Sequence, residues 1–312
     1  MTASARRGLT VTKHRAALGA LSCAALLALA GCSDQTPKDP SPSASGTDKP
    51  PLHDDLPESV KKAGVIKVGS DMLYPPMEFV RNGKPVGVDP DLAEVLSRQL
   101  GVRFQFGNGA FDTLLTGLRT KHYDVVMSAM SDTKERQEGL DPSTGEKIGE
   151  DIDFVDYFTS GASILVKKGN PEGIKSLGDL CGKKVSVQSG STAYDLLQSQ
   201  KCDDPIDIEA YDTHDEAQAR LKSGAVVADV ADYPAVAYAA KTAGGGKDFE
   251  VVGDQIDPGP YGIAVLSSNS ALRDAIQAAL DAAIRDGSYG KVLDKWNVSD
   301  GAVTDAQINA GT

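Results

Sequence analysis

From residue 59 onward, short apolar strands alternate with amphipathic helices, and this alternation narrows the fold more than any other feature of the chain. "VIKVGSD" (65–71) is an apolar strand that stops at a polar tip. "PPMEFVRNGKPVGVD" (75–89) carries an "RNGK" turn of the kind that closes a hairpin. "DPDLAEVLSRQLG" (89–101) reads as a helix, with Asp89 as cap, Pro90 in its first position and Gly101 as stop. Leu92, Val95, Leu96 and Leu100 share one face of it. "VRFQF" (102–106) is a strand, "FDTLLTGLRTKH" (111–122) a helix and "YDVVMSAM" (123–130) the next strand. A strand-helix-strand-helix-strand series predicts an open, mostly parallel sheet.

The series then begins again. "SILVKKGN" (163–170), "KKVSVQ" (183–188), "IDIEAY" (206–211), "AVVADVAD" (225–232) and "FEVVG" (249–253) read as strands. Between them lie helices at 176–180, 191–200, 213–224 and 233–241, the third with a Thr213 to Glu216 capping box and a Gly224 stop. Two α/β units follow one another without a sequence repeat. The chain ends in helices whose apolar stripes, Leu272, Ile276, Leu280, Ile284 and then Tyr289, Val292, Leu293, Trp296, read as core packing.

The first residues are of another kind. Arg6, Arg7, Lys13 and Arg15 precede the apolar run 16–30, which is short for a membrane span. It ends in "LAGC" (29–32), which resembles a bacterial lipobox and implies cleavage before Cys32 and lipidation of that cysteine. Residues 32–58, rich in Pro, Ser, Asp and Lys, read as an extended tether. The expected location is outside the cytoplasm, anchored to the outer face of the cell membrane. The formal net charge of −12 argues against a nucleic-acid partner.

Cys181 and Cys202 remain for an oxidising compartment. A strand of about 18 Å and a helix of about 16 Å lie between them. If the helix doubles back along the strand, the two cysteines meet, and a disulfide is expected. The four histidines, His14, His53, His122 and His214, are scattered without ligand spacing, so no metal site and no cofactor are expected.

In open α/β sheets, ligands bind at the carboxyl ends of strands. The first strand ends at Asp71, with Tyr74 just beyond; the third ends at Ser128, Ser131 and Arg136. In the second unit Ser191 and Thr192 open a helix after a strand, where free N–H groups favour an anion, and Asp232 closes a strand. Arg136 with nearby hydroxyls suits a carboxylate and Asp232 an ammonium. An amino acid carries both on one carbon.

Seven blocks in order, "VGSDMLYPPMEF", "GKPVGVDPDLAEVLSRQLGV", "FDTLLTGLRTKHYDVVMSAMSDTKER", "DFVDYFTSGASILVKKGN", "LCGKKVSVQSGSTA", "LKSGAVVADVADYPAVAY" and "YGKVLDKW", span most of residues 60–297. Together they resemble the family 3 extracellular solute-binding proteins, the polar amino acid receptors of ABC importers. The resemblance implies a two-lobed periplasmic-binding-protein (Venus-flytrap, type II) α/β fold, with two open sheets and a hinge of two crossing strands. It places the first lobe at 59–161 plus 260–312 and the second at 162–259. It implies that Arg136 pairs with a ligand carboxylate, assisted by Ser131, Ser191 and Thr192. Asp232 and Ser128, with the Ala129 backbone, would hold the ammonium. Tyr74 and Phe111 would sandwich the side chain, Asp71 would reach its polar end, and Gln188 and Ala193 would set selectivity. The implied partners are one small amino acid, basic or amide in side chain, and membrane permease subunits; a monomer is expected.

The chain departs from the family in "QEGLDPSTGEKIGEDI" (137–152), a longer link than usual, and in Val227 where an aspartate is common, with Asp229 two positions on. Glu78 reads as a solvated or structural carboxylate. Two other functions stay open: an enzyme on the same scaffold, of the cyclohexadienyl or arogenate dehydratase kind, and a sensing module. No His, Cys or Ser–His pairing near the cleft favours the enzyme.

Overall fold

The computed structural model describes residues 49–142 and 144–312. The expected signal peptide, the lipidation site Cys32 and most of the tether lie outside the described residues. Order begins before residue 58: the Leu52 N–H donates to the Gln99 carbonyl (3.1 Å), and Leu56 is buried. These two leucines anchor a stretch whose average composition reads as tether.

The first elements are α1 (Glu58–Ala63), β1 (Val65–Ser70), β2 (Leu73–Tyr74), β3 (Glu78–Arg81), β4 (Lys84–Val86), α2 (Val88–Leu100), β5 (Arg103–Asn108), α3 (Leu114–Arg119), β6 (Val125–Val126) and α4 (Lys134–Glu138). The long β7 (Ile152–Lys167) leads to β8 (Lys184–Gln188), α5 (Thr192–Gln198), β9 (Asp207–Tyr211), α6 (His214–Ser223), β10 (Ala228–Asp232) and α7 (Tyr233–Thr242). The long β11 (Phe249–Leu266) returns, followed by α8 (Ser270–Arg285), α9 (Ser288–Trp296) and β12 (Gln307–Ile308).

The architecture is α/β and two-lobed. Strand order is β5-β1-β6-β11-β7-β10-β8-β9, with β12 on β7, so the two expected sheets are joined into one of nine strands. The join is made by β7 and β11, antiparallel over most of their length. Their pairing is irregular between Val252 and Ile256, Ile256 and Gly259, and Tyr261 and Gly262. Apolar packing changes sides at the same place. Phe158 and Tyr261 belong to a core with Ile66, Leu96 and Ile276, whereas Ala162 and Ile256 belong to one with Val187 and Val230. β2, β3 and β4 form a small separate sheet.

Local signals explain most boundaries. Gly101 ends α2 at φ 69° and Gly224 ends α6 at φ 81°, both in the left-handed region that glycine enters without a Cβ penalty. Cys181 and Cys202 form the expected disulfide, Cα atoms 5.6 Å apart, with β8 and α5 between them. Two expectations need correcting. α2 starts at Val88 with Gly87 as its cap, because the Asp89 carboxylate turns inward. The third strand forms a continuous ladder only at 125–126, because at Ser128 and Ala129 the chain turns to bind buried carboxylates before rejoining β11 at Ser131, opposite Tyr261. In the longer link, the Leu140–Lys147 pairing makes a short turn structure, and Arg119 Nε donates to the Glu150 carbonyl (3.2 Å).

Candidate functional site

The polar end of β6 is held from below by two carboxylates. Ser128 Oγ donates to Glu78 Oε1 (2.8 Å) and accepts the Asp71 N–H (2.9 Å). The Ala129 N–H donates to Asp89 Oδ2 (3.1 Å), and the Tyr157 hydroxyl to Asp89 Oδ1 (2.7 Å). Burial raises both carboxyls, Glu78 well above its usual value and Asp89 to about 6, and the Asp89 charge adds to the rise at Glu78. Glu78 is therefore structural and fully buried, not solvated. The Ser128 hydroxyl and the Ala129 N–H thus take part in this support, which leaves a second lone pair on Ser128 Oγ.

Arg136 is placed by α4. Thr133 caps this short helix, its Oγ1 accepting the Arg136 N–H (3.3 Å). The guanidinium then donates to the Ser131 carbonyl (2.8 Å) and, across the cleft, to the Gly190 carbonyl (3.0 Å). It lies 5.7 Å from the Phe111 ring. Burial lowers its affinity for the proton, while the charges of Asp195 and Asp232 act to keep it.

From the second lobe, Asp232 stands at the start of α7 but makes no side-chain cap. Instead it accepts the Tyr74 hydroxyl at Oδ2 (2.8 Å), and its own N–H donates to the Tyr74 hydroxyl oxygen (3.2 Å). Burial raises the Asp232 carboxyl, and the Tyr74 bond and the His214 and Arg136 charges work the other way. Gln188 Nε2 donates to Asp71 Oδ2 (2.6 Å), again across the cleft. Burial raises Asp71, and the Gln188 bond opposes that. Ser131 Oγ and Thr192 Oγ1 meet at 3.3 Å. The Ser191 side chain is used locally, accepting the Tyr194 N–H (3.2 Å) and donating to the Gln188 carbonyl (2.8 Å). Ala193 is buried.

Two cavities flank these cross-cleft contacts. One, of about 760 Å³, is lined by Ser131, Thr192 and Asp232 together with Asp195 and the 256–260 turn of β11. The other, of about 380 Å³, is lined by Phe111, Arg136 and Thr192 and walled by Leu140, Pro142 and Ile148 of the longer link.

A family model for the bacterial extracellular solute-binding proteins, family 3, matches residues 66–299. The chain belongs to that family. Among curated relatives of this family 3 protein, the ABC transporter arginine-binding protein 1 of Escherichia coli (strain K12) is 31% identical over 74% of this chain and 90% of its own length. An ancestral arginine-binding protein solved with arginine is 37% identical, with a TM-score of 0.67 over 75% of this chain and 98% of that one. A structure of that description bound to glutamine is also 37% identical, at a TM-score of 0.66 over the same shares of the two chains. The ancestral amino acid-binding protein AncCDT-1, described as a precursor of cyclohexadienyl dehydratase, is 33% identical, TM-score 0.67, over 76% of this chain and 97% of its own.

Other buried polar residues stand beside this candidate site in the family 3 protein and carry no local sequence signal of a binding role. Asp89 was assigned to a cap, and His214, Asp229 and Tyr261 to no role. His214 and Asp229 are wholly buried as a pair, His214 against the Tyr74 ring, and Tyr261 is buried against Phe158 with its hydroxyl facing Asp232. A signal of burial existed. Asp89 shares a helix face with Leu92 and Leu96, and His214 with Ala217 and Leu221; a polar residue on an apolar stripe must find a buried partner. Among the described residues no group of three or more His, Cys, Asp or Glu side chains is placed to hold a metal, and no helix is long and apolar enough to cross a membrane.

Proposed function

We propose that the protein captures a single amino acid with a cationic or amide side chain between its lobes and passes it to ABC permease subunits, as a monomer held outside the cell membrane by lipid on Cys32. The observation that carries this reading is the gathering of Arg136 and Asp232, from opposite lobes, at one cleft with the hydroxyls of Ser131 and Thr192. Arg136 takes the α-carboxylate, and Asp232 takes the α-ammonium once the Tyr74 hydroxyl yields its place. The side chain lies between Tyr74 and Phe111, and its polar end exchanges with the Asp71–Gln188 pair. Relatives named for arginine and a neighbour solved with glutamine support this choice of side chain.

Calorimetry against the twenty amino acids tests it, arginine and glutamine being the expected binders. Binding of none, or preference for aspartate or glutamate, overturns it. Release of the protein from membranes by Cys32→Ser tests the anchor. AncCDT-1 is itself described as an amino acid-binding protein, so its similarity supports capture; the alternative, a dehydratase, would require product from arogenate in the same sample.

A further inference from the structure

His214 and Asp229 take no part in the ligand assignments above, yet both side chains are 0% exposed. His214 Nε2 lies 2.8 Å from Asp229 Oδ2, and Asp229 Oδ1 accepts Ser186 Oγ (3.3 Å). Gln218, one turn further along α6, approaches Nδ1 at 3.2 Å. Taking both partners of such a pair out of water is costly, and a pair broken after burial is costlier still. The remaining side of the imidazole meets Tyr74, with ring centroids 5.2 Å apart and planes tilted by 55°. Tyr74 belongs to β2 of the first lobe and His214 to α6 of the second. The contact therefore exists only while the lobes are closed, and the hydroxyl of the same tyrosine holds Asp232.

We propose that His214 is a positioning residue for the closed cleft: clamped by Asp229, its ring seats Tyr74 across the cleft, so the state of this ion pair sets how firmly the lobes hold a ligand. The inference rests on the amino acid capture reading.

The groups facing the imidazole are Asp229 and Asp232 from β10, Asp215 and Gln218 from α6, Tyr74 from β2 and Asp71 at the end of β1. Burial works against the ring's charge, Asp229 works for it, and the balance keeps the proton more firmly than a free histidine does. Deprotonation leaves Asp229 as a buried carboxylate without a cation. An open cleft tolerates that better, since water reaches the pair once Tyr74 withdraws. Ligand affinity falls as pH rises through the raised His214 value.

The test compares wild type with the double variant His214→Gln, Asp229→Asn, which replaces the ion pair by a neutral hydrogen-bonded one. Both are titrated with arginine from pH 6 to pH 8.5, and any ligand titration cancels between them. Wild type should weaken roughly 3- to 10-fold across the range, and the neutral pair should not. Parallel profiles would overturn the proposal. In wild type, diethyl pyrocarbonate should label His214 in the free protein and be blocked by arginine, as read by peptide mass spectrometry. Equal protection with and without arginine also overturns it. If no amino acid binds either protein, the capture reading fails and takes this one with it.

Discussion

Arg136 owes its reach to Thr133. The hydroxyl caps a helix of only five residues, and the guanidinium swings back over Phe111 to carbonyls on both lobes. Charge-assisted bonds contribute about 1.5–3 kcal/mol each, so Arg136→Ala should weaken binding at least ~100-fold while the far-ultraviolet spectrum stays unchanged. Near-unchanged affinity in calorimetry would remove the carboxylate assignment. Ala129 is a second informative residue. It holds φ 45°, which a side chain with a Cβ rarely adopts, and its N–H is fixed by Asp89. The strain lies where the chain turns from sheet to site, so the buried carboxylates that hold it are part of the site's support.

At the scale of elements, the Cys181–Cys202 bridge closes the strand-helix unit that presents Gln188 and Thr192. Replacing both cysteines by serine should cost about 3 kcal/mol, seen as a fall of roughly 5 °C in Tm. An unchanged Tm would show that β8 and α5 are held without it. β12 offers a pH test. Past this strand, the Ala310 N–H donates to Asp156 Oδ2 (3.0 Å) and the Gly311 N–H to Asp132 Oδ2 (2.7 Å). Burial and the neighbouring Asp132 charge push Asp156 up to about 7. An unfolded aspartate titrates near 4, so between these values the folded chain keeps a proton that the unfolded chain has lost. Stability from this carboxyl is therefore full below about pH 4 and is lost as pH rises towards 7, at no more than about 1.4 kcal/mol per pH unit. Asp156→Asn should then raise Tm at pH 8 and leave it near wild type at pH 4; equal shifts at both values would contradict the assignment.

At the scale of the molecule, the lobes touch through pairs that a ligand would reorganise: Tyr74 with Asp232, Asp71 with Gln188, and Arg136 with Gly190. A ligand that bridges the same groups should favour closure. At about 100 times Kd it should stabilise the protein by about 2.7 kcal/mol and lower the radius of gyration in X-ray scattering. A rise in Tm without compaction would mean that the free protein is already closed.

The sequence by itself determined the succession of strands and helices, most caps and stops, the disulfide, and the strand ends where polar groups would gather. All but the disulfide depend on neighbours a few residues apart and on period-2 and period-3.6 patterns, which a single chain displays directly; the disulfide spans 21 residues and follows from the lengths of one strand and one helix. From sequence Asp89 looks like a helix cap, because an Asp-Pro pair fits a helix start and nothing local marks the carboxylate as inward. Only the tertiary structure decided which polar group meets which. Tyr74 and Asp232 are 158 residues apart and Gln188 and Asp71 117 apart, and no local pattern links such pairs. A buried polar atom takes whatever donor or acceptor the closed fold brings to it, because leaving it unpaired costs more than any local preference can return.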